Sequence, residues 1–350
     1  RSEVYRHVLP AVAPTFAAQQ DVFLKIPRPT DIDVDGRGLM YVSSWKGGKF
    51  NFAGPNVGFV AQVRPVDFTP KPFPNLNAAS DTEVVTELKS PSASHRLHAQ
   101  RELLRRGRDA TRTETITSLA KDDAAAKFAR VAAIFTLKQL DGVDSHATLV
   151  ELTKNQAVGE FALRALTDRR AELKTVPVEP FIKALASKNL RERAQALISL
   201  GRLGDVTSGT NILPLTQRAA DSKPPTGAKV HAQPDPGRVI PHLAVQALVD
   251  IKATKACLIG LEGPHFHGAI AALRKIHEPA VVEGLIARLG RESNSTRRGE
   301  LFTALIRLYH QEGKYKGDWW GTRPDTTGPY YDRQKWEKSD RIAVVLKTAS

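Results

Sequence analysis

The sequence has 350 residues, 41% hydrophobic and 25% charged, enough to bury the core of two or three units. Its one cysteine, Cys257, excludes an intrachain disulfide, a Cys-rich zinc site and a Cys-x-x-Cys-His haem attachment, and no apolar run approaches the roughly 18 residues of a membrane span. The formal charge of +14 allows binding to an acidic surface, such as nucleic acid, an anionic polymer or membrane headgroups, without requiring it.

The chain opens on Arg1-Ser2-Glu3, with Met40 its sole methionine and no signal-peptide pattern, and reads as a piece of a longer chain. Residues 1–68 read as a small antiparallel β block. Glu3 to Val8 alternates, Asp21 to Leu24 follows, and Asp31-Ile32-Asp33-Val34 turns at Asp35-Gly36 into Leu39 to Ser43. An Asp-Gly turn between alternating segments is a strong hairpin signal. Gly58 to Val63 adds a further strand. So few strands form no stable module alone, so the block should pair with something upstream or lie on the helices that follow. Asp31-x-Asp33-x-Asp35-Gly36 has the spacing of half a calcium loop, but the closing Glu is missing, and the reading is an ordinary hairpin.

Residues 69–82, with Pro70, Pro72 and Pro74, read as a Pro-rich linker. Helical repeats are expected over 83–313. A phrase of small residue, branched aliphatic and a further apolar residue one turn on recurs at Ala133-Ile134, Ala165-Leu166, Ala196-Leu197, Ala247-Leu248, Ala272-Leu273 and Ala304-Leu305. The intervals of about 32, 31, 51, 25 and 32 residues suit stacked helix pairs. Each alanine sits where a second helix must approach closely. One pair cannot bury its apolar stripe, so the pairs stack as a HEAT-like α-solenoid. The long interval holds an inserted loop at about 205–241, rich in Pro and Gly. The last segment, 314–350, is an aromatic Gly/Pro-rich docking tail with a terminal helix. Its Trp319, Trp320, Tyr330 and Tyr331 should fold back on the last repeats, with Arg323 and Asp325 beside them, or else offer a platform for a sugar ring.

Candidate chemistry is sparse. The densest basic run spans His95 to Arg108, and Arg101, Arg105 and Arg106 on its polar side are the candidate contacts for an anionic partner. Further arginines available to such a face are Arg130, Arg164, Arg169, Arg191 and Arg193. His242, His265, His267 and His277 lie on adjacent helices without ligand-pair spacing, so a capping or structural role is expected and no metal residue is assigned, although His242 stays a candidate binding residue. Asp122-Asp123 reads as the acidic opening of a helix. Cys257, within Ala256 to Ile259, reads as a buried small hydrophobe. There is no Gly-rich phosphate loop, nucleophile elbow or catalytic set, so no catalytic residue is assigned.

Three phrases carry a resemblance. They are Arg28 to Gly36 with Tyr41 to Gly48, His95 to Gly107, and Trp319-Trp320-Gly321-Thr322-Arg323-Pro324-Asp325-Thr326-Thr327-Gly328-Pro329-Tyr330-Tyr331. Together they resemble the central region of large secreted planctomycete-type proteins labelled membrane-bound dehydrogenases, which are similar to glucose/sorbosone-type sugar dehydrogenases. The resemblance implies a β-propeller whose last blade is residues 1–68, HEAT-like repeats, and then a c-type cytochrome. It implies a periplasmic or cell-surface location. Haem c or a quinone would belong to domains outside this sequence, with no cofactor within it. The partners would be the propeller and cytochrome domains of the same parent or another protein.

Two functions follow from these readings. The first is a non-catalytic scaffold or docking region of an extracytoplasmic redox protein. The alternative is a basic HEAT-like module binding nucleic acid or an anionic polymer. Few aromatics interleave with the arginines, which counts against stacking on bases and against nucleic acid as the partner.

Overall fold

The computed structural model describes residues 2–12, 14–47, 57–219, 235–317 and 328–348. The protein is mainly helical with a small antiparallel β block at its start. It divides into two compact units, Arg1–Val176 and Pro177–Ser350.

The first unit begins with a ribbon in which β1 (Glu3–Val8) pairs antiparallel with β4 (Gln19–Lys25), the short strands β2 (Ala11–Val12) and β3 (Thr15–Phe16) pairing at its tip. A three-stranded sheet follows in the order β5 (Pro29–Val34), β6 (Met40–Ser44), β7 (Phe59–Val63). The expected hairpin turn joins β5 to β6. The Asp35 carboxylate accepts from the Arg37 and Leu39 N–H groups, each at 2.9 Å, and Gly38 takes φ +82°. Gly36 is needed for space as well, since a Cβ there would stand 2.4 Å from the Phe73 ring. Asp35 is thus occupied by its own turn and by the Arg37 guanidinium at 3.0 Å, as befits a hairpin.

The block lies on the first helices. His95 Nε2 donates to the Gly36 carbonyl at 2.7 Å, and Ser94 Oγ donates to the Val34 carbonyl. The segment expected as a linker is packed instead. Phe73 meets the edges of His95 and His98 at 4.9 and 5.1 Å, and Leu76 is buried. Prolines there stiffen a seam between sheet and helices, because an apolar side chain every few residues gives the segment something to bury.

Among the described residues the rest of this unit is built on six α-helices: α1 (Asp81–Glu87), α2 (Ala93–Arg106), α3 (Ala110–Lys121), α4 (Lys127–Asp141), α5 (His146–Leu152) and α6 (Gly159–Thr167). Ser80 and Glu83 form a reciprocal capping box at the start of α1, while Ser92 and Asp109 cap α2 and α3. Consecutive helices pair as α1/α2, α3/α4 and α5/α6. The pairs stack in two rows, α1 against α3 and α2 against α4 against α6. Asp122 and Asp123 do not open α4. Asp122 caps the C-terminus of α3, and Asp123 reaches Arg130 at 2.7 Å, because that guanidinium is nearly fully buried and needs a counter-charge.

The second unit repeats the plan. Its helices are α7 (Glu179–Ala184), α8 (Leu190–Leu203), α9 (Gly209–Ile212), α10 (Val239–Asp250), α11 (Thr254–Gly260), α12 (Phe266–Leu273), α13 (Pro279–Arg291), α14 (Ser295–Leu308) and α15 (Ser339–Thr348). One row runs α8–α10–α12–α14 and the other α9–α11–α13, with α15 closing on α14. The insertion is narrower than the expected 205–241. Val206 to Thr216 coils into short helical turns on α10 and α12, burying Ile212 and Leu213, and helical structure resumes at Pro236. The proline and glycine signals lie between those points.

All six repeat alanines are at most 2% exposed, as the spacing requires. Of the tail, Trp319, Trp320, Arg323 and Asp325 lie outside the described residues. Tyr330 and Tyr331 are half-buried, Tyr330 meeting His277 and the Arg307 guanidinium. The anchor that the sequence reading passed over is Trp336, whose indole N–H donates to the Leu308 carbonyl at 2.6 Å. Ser339 donates to the Tyr309 carbonyl, and Gln311 pairs with Gln334. Ending the chain after Gly313 is expected to lower the melting temperature by about 4 °C or more, since Trp336 and the α15 contact give at least ~2 kcal/mol. Calorimetry on the truncated chain checks this; an unchanged melting temperature would show the tail to be loosely held.

Candidate functional site

The row α2–α4–α6 carries a groove of about 770 Å³ within the first unit. Its geometry follows from how the three helices align. Arg96 lies over Phe128 and Gln100 donates to Thr136, so α2 and α4 advance in the same direction. Lys127 lies over Phe161 and Arg164 over Phe135, so α6 does the same. Such alignment is what stacked helix pairs impose, because every second helix returns with the same sense.

The floor belongs to α4. One face of this helix carries Ala133, Ile134 and Leu137 into the core. A second face presents Phe128, Val131, Ala132 and Phe135 at spacings of three and four residues, all lining the groove. Phe128 is 42% exposed, as is Leu97 of α2 at 46% across from it. Phe161 of α6 forms the opposite wall. Large apolar side chains left open together are costly unless something covers them.

Each ring carries a cation. The Arg96 guanidinium stands 4.8 Å from the Phe128 centroid, the Lys127 ammonium 5.1 Å from Phe161, and the Arg164 guanidinium 5.7 Å from Phe135. A cation over an aromatic face contributes about 0.5–1 kcal/mol at such exposure. Arg96 is also held by the carbonyls of Ser90 and Pro91 at 2.7 and 2.9 Å, and Arg164 stands 3.6 Å from Asp168. Lys127 has no carboxylate partner among the described residues. It also occupies the first turn of α4, where the helix dipole disfavours a cation, and no side chain caps that end. The groove therefore has a positive end at Arg96 and Lys127, and a neutral end at Gln139 and Asp168.

The arginines singled out from the sequence are placed differently. Arg101 is exposed one turn beyond Leu97 on the same helix, near the groove. Arg105 is exposed but bidentate with Glu102, at 2.7 and 2.8 Å. Arg106 is not a surface contact at all: it is bonded to Glu102, Asp81 and the carbonyls of Leu76 and Ala79. The Arg105 and Arg106 guanidiniums hold the Glu102 carboxyl down at about 2. Arg130 is buried against Asp123 and the Ala120 carbonyl, Arg169 pairs with Glu172, and Arg193 donates to the Ser187 carbonyl. Most of the basic face expected from the sequence is thus already neutralised.

The histidines do not converge. His242 is exposed on α10, His265 precedes α12, His267 pairs with Glu300 at 3.1 Å, and His277 Nε2 donates to the His310 carbonyl at 2.8 Å. Burial pushes the His277 imidazole below its ordinary range. No group of three or more metal-ligating side chains converges among the described residues. Cys257 is fully buried, and burial alone pushes its thiol up to about 12, so it is a core side chain rather than a nucleophile. No helix among the described residues is long and apolar enough to cross a membrane.

The groove was missed because no single motif marks it. The signal was present in α4, whose sequence KFARVAAIFTLKQLD is apolar on two faces, one more than a surface helix needs.

No family model and no curated protein matches the chain. Among solved structures, the complex of CpcE and CpcF of phycocyanin lyase from Nostoc sp. PCC7120 superposes with TM-score 0.32 and 13% identity, over 82% of this chain and 98% of that one. An engineered protein superposes with TM-score 0.28 and 17% identity, over 65% of this chain and 96% of its own. Superpositions this loose carry no functional argument, and the helical-repeat architecture stands on the stacking of the helix pairs themselves.

Proposed function

We propose that the chain is a non-catalytic helical-repeat scaffold that docks a partner along the α2–α4–α6 row. The observation that carries this is the groove itself: an open apolar floor, ringed by cations, on a face that the described elements of the unit leave uncovered. The described residues that line that face are mainly apolar side chains and cations, which suit binding.

The setting we propose is an extracytoplasmic redox protein of the sugar-dehydrogenase-like type that the sequence resembles. The exposure of the β ribbon speaks for a neighbouring sheet in this reading. Val22 and Phe23 are consecutive, so they point to opposite faces, and they are 47% and 45% exposed. A two-stranded ribbon with apolar side chains open on both faces is what a propeller blade would cover. Haem c does not fit the residues present, since the single cysteine is buried with its thiol proton firmly held. Haem c in this reading is carried by another domain of the parent. The purified chain is expected to reduce no artificial electron acceptor with sugars as donors. Saturable, sugar-dependent turnover by the chain alone would sink the scaffold reading.

A further inference from the structure

Building on the scaffold reading, we infer that the groove of the first unit is a docking site for an acidic amphipathic helix of a partner protein, its apolar stripe seated between Phe128 and Phe135 and its carboxylates at Lys127 and Arg96. Four features of the groove point to that occupant.

The first is shape. Phe128 and Phe135 are seven residues apart on one helix, two turns or about 10 Å. Between them the floor drops to Val131 and Ala132. Two rings with a shallow step between them match apolar anchors spaced i, i+3, i+4 and i+7 on a docking helix. The volume of about 770 Å³ holds a few anchor side chains and lies within the usual range of binding clefts.

The second is charge. Three cations line the groove against one carboxylate, Asp168, and that carboxylate is beside Arg164 at the far end. The near end keeps Lys127 without a carboxylate among the described residues, with the positive end of α4 beneath it. Arg101 extends the same sign one turn along α2. An acidic partner steered by this field would settle in one direction only, carboxylates toward Lys127.

The third is local misfit. A lysine in the first turn of an uncapped helix works against that helix, and the phenylalanine beside it stays 42% exposed although Arg96 lies over its ring. Features that break local rules for little gain inside the fold are where function is expected.

The fourth concerns nucleic acid, the other polyanion that cations and rings could serve. Stacking a base needs an open ring face. Here Phe128, Phe135 and Phe161 each have one face taken by a cation. The arginines that would grip a phosphate backbone elsewhere on this unit, Arg105, Arg106, Arg130 and Arg169, are held by carboxylates. The groove is apolar at its floor and cationic at its rim, the complement of an acidic peptide rather than of a strand of phosphates.

The test uses the full chain and a synthetic amphipathic helical peptide with leucines at i, i+3, i+4 and i+7 and glutamates along one flank, read by fluorescence anisotropy at physiological salt. A second peptide replaces each glutamate by glutamine, and oligothymidine is the nucleic-acid probe. The glutamate peptide is expected to bind at least about fivefold more tightly than the glutamine peptide, the order of a single well-placed charge pair. Lys127→Glu and Phe128→Ala are each expected to weaken it about tenfold, and both positions are exposed enough to change without loss of fold. Lys255→Glu, an exposed lysine of the second unit with the same change in net charge, should leave affinity unchanged. Equal loss in Lys255→Glu, no effect of Lys127→Glu, or tighter binding of oligothymidine than of the acidic peptide would each overturn the inference. Sugar turnover would sink the scaffold reading however the peptide behaves, and peptide failure without turnover removes only this partner.

Discussion

Arg106→Ala is expected to cost the first unit about 3 kcal/mol, the loss typical of stripping one partner from a buried ion pair. The guanidinium is only 14% exposed and ties its own helix to the segment 76–81, 25 or more residues earlier. It reaches the Asp81 carboxylate at 2.6 Å at the start of α1, Glu102 at 2.8 Å on its own helix, and the carbonyls of Leu76 and Ala79, each at 2.7 Å. Alanine would leave two backbone carbonyls and part of a buried carboxylate without donors. Arg112, which also holds Asp81 at 2.8 Å, keeps that end from collapsing outright. Denaturant unfolding of the variant measures the loss. The same change alters the acid response. Glu102 is held down at about 2 by Arg105 and Arg106, so it contributes stability that is present above the ordinary range near 4.5 and is lost as pH falls toward 2. In Arg106→Ala the Glu102 carboxyl should titrate closer to its ordinary value, and this part of the acid loss should shrink. A variant as stable as the parent would return Arg106 to the surface role that the sequence suggests.

That misplacement shows how the sequence carries its information. Periodic features were legible: the six alanines sit at crossings because a repeat states the same packing demand several times over. The Asp35-Gly36 turn was legible because its chemistry is local. Arg106 was not, because its partners Asp81, Leu76 and Ala79 lie 25 or more residues away, and the inner partner Glu102 looks like any i, i+4 surface pair. The groove lay between these cases. Phe128, Val131, Ala132 and Phe135 make a complete apolar stripe, yet α4 already shows one in Ala133, Ile134 and Leu137, and the deeper stripe hides the other. Lys138 was invisible for the converse reason. It follows Arg130 and Ile134 at steps of four, so it points into the core although its residue type says surface.

Lys138 grounds the second large effect. It is 1% exposed, and its ammonium stands 2.6 Å from both His146 Nε2 and Glu172 Oε2. An ammonium can only donate, so His146 Nε2 must accept, and the ring proton sits on Nδ1, 3.0 Å from Thr175 Oγ. Protonating Nε2 would set two cations against each other in a dry site. Burial first and the Lys138 charge second push the His146 imidazole below its ordinary range, against the opposing pull of a hydrogen bond with Thr175 and of the Glu172 and Asp144 charges. The folded chain therefore binds this proton less readily than the unfolded one. Its contribution is complete above the ordinary imidazole value near 6.5 and declines as pH falls below it. His277 in the second unit shifts the same way through burial, so both units should weaken as pH falls below about 6.5. His146→Gln keeps an acceptor for Lys138 without a titrating proton, and should flatten the part of that decline belonging to the first unit. Glu172→Gln should cost about 3 kcal/mol at neutral pH, because the buried ammonium then faces only neutral groups. Lys138→Met should cost less, since Glu172 keeps Arg169 at 3.1 Å and His146 loses the charge that opposes its protonation. It should also reduce the acid decline. Unfolding free energies of the three variants at pH 7.5 and 5.5 separate these effects; a Lys138→Met loss larger than that of Glu172→Gln would show that the ammonium is held by packing and not by its carboxylate.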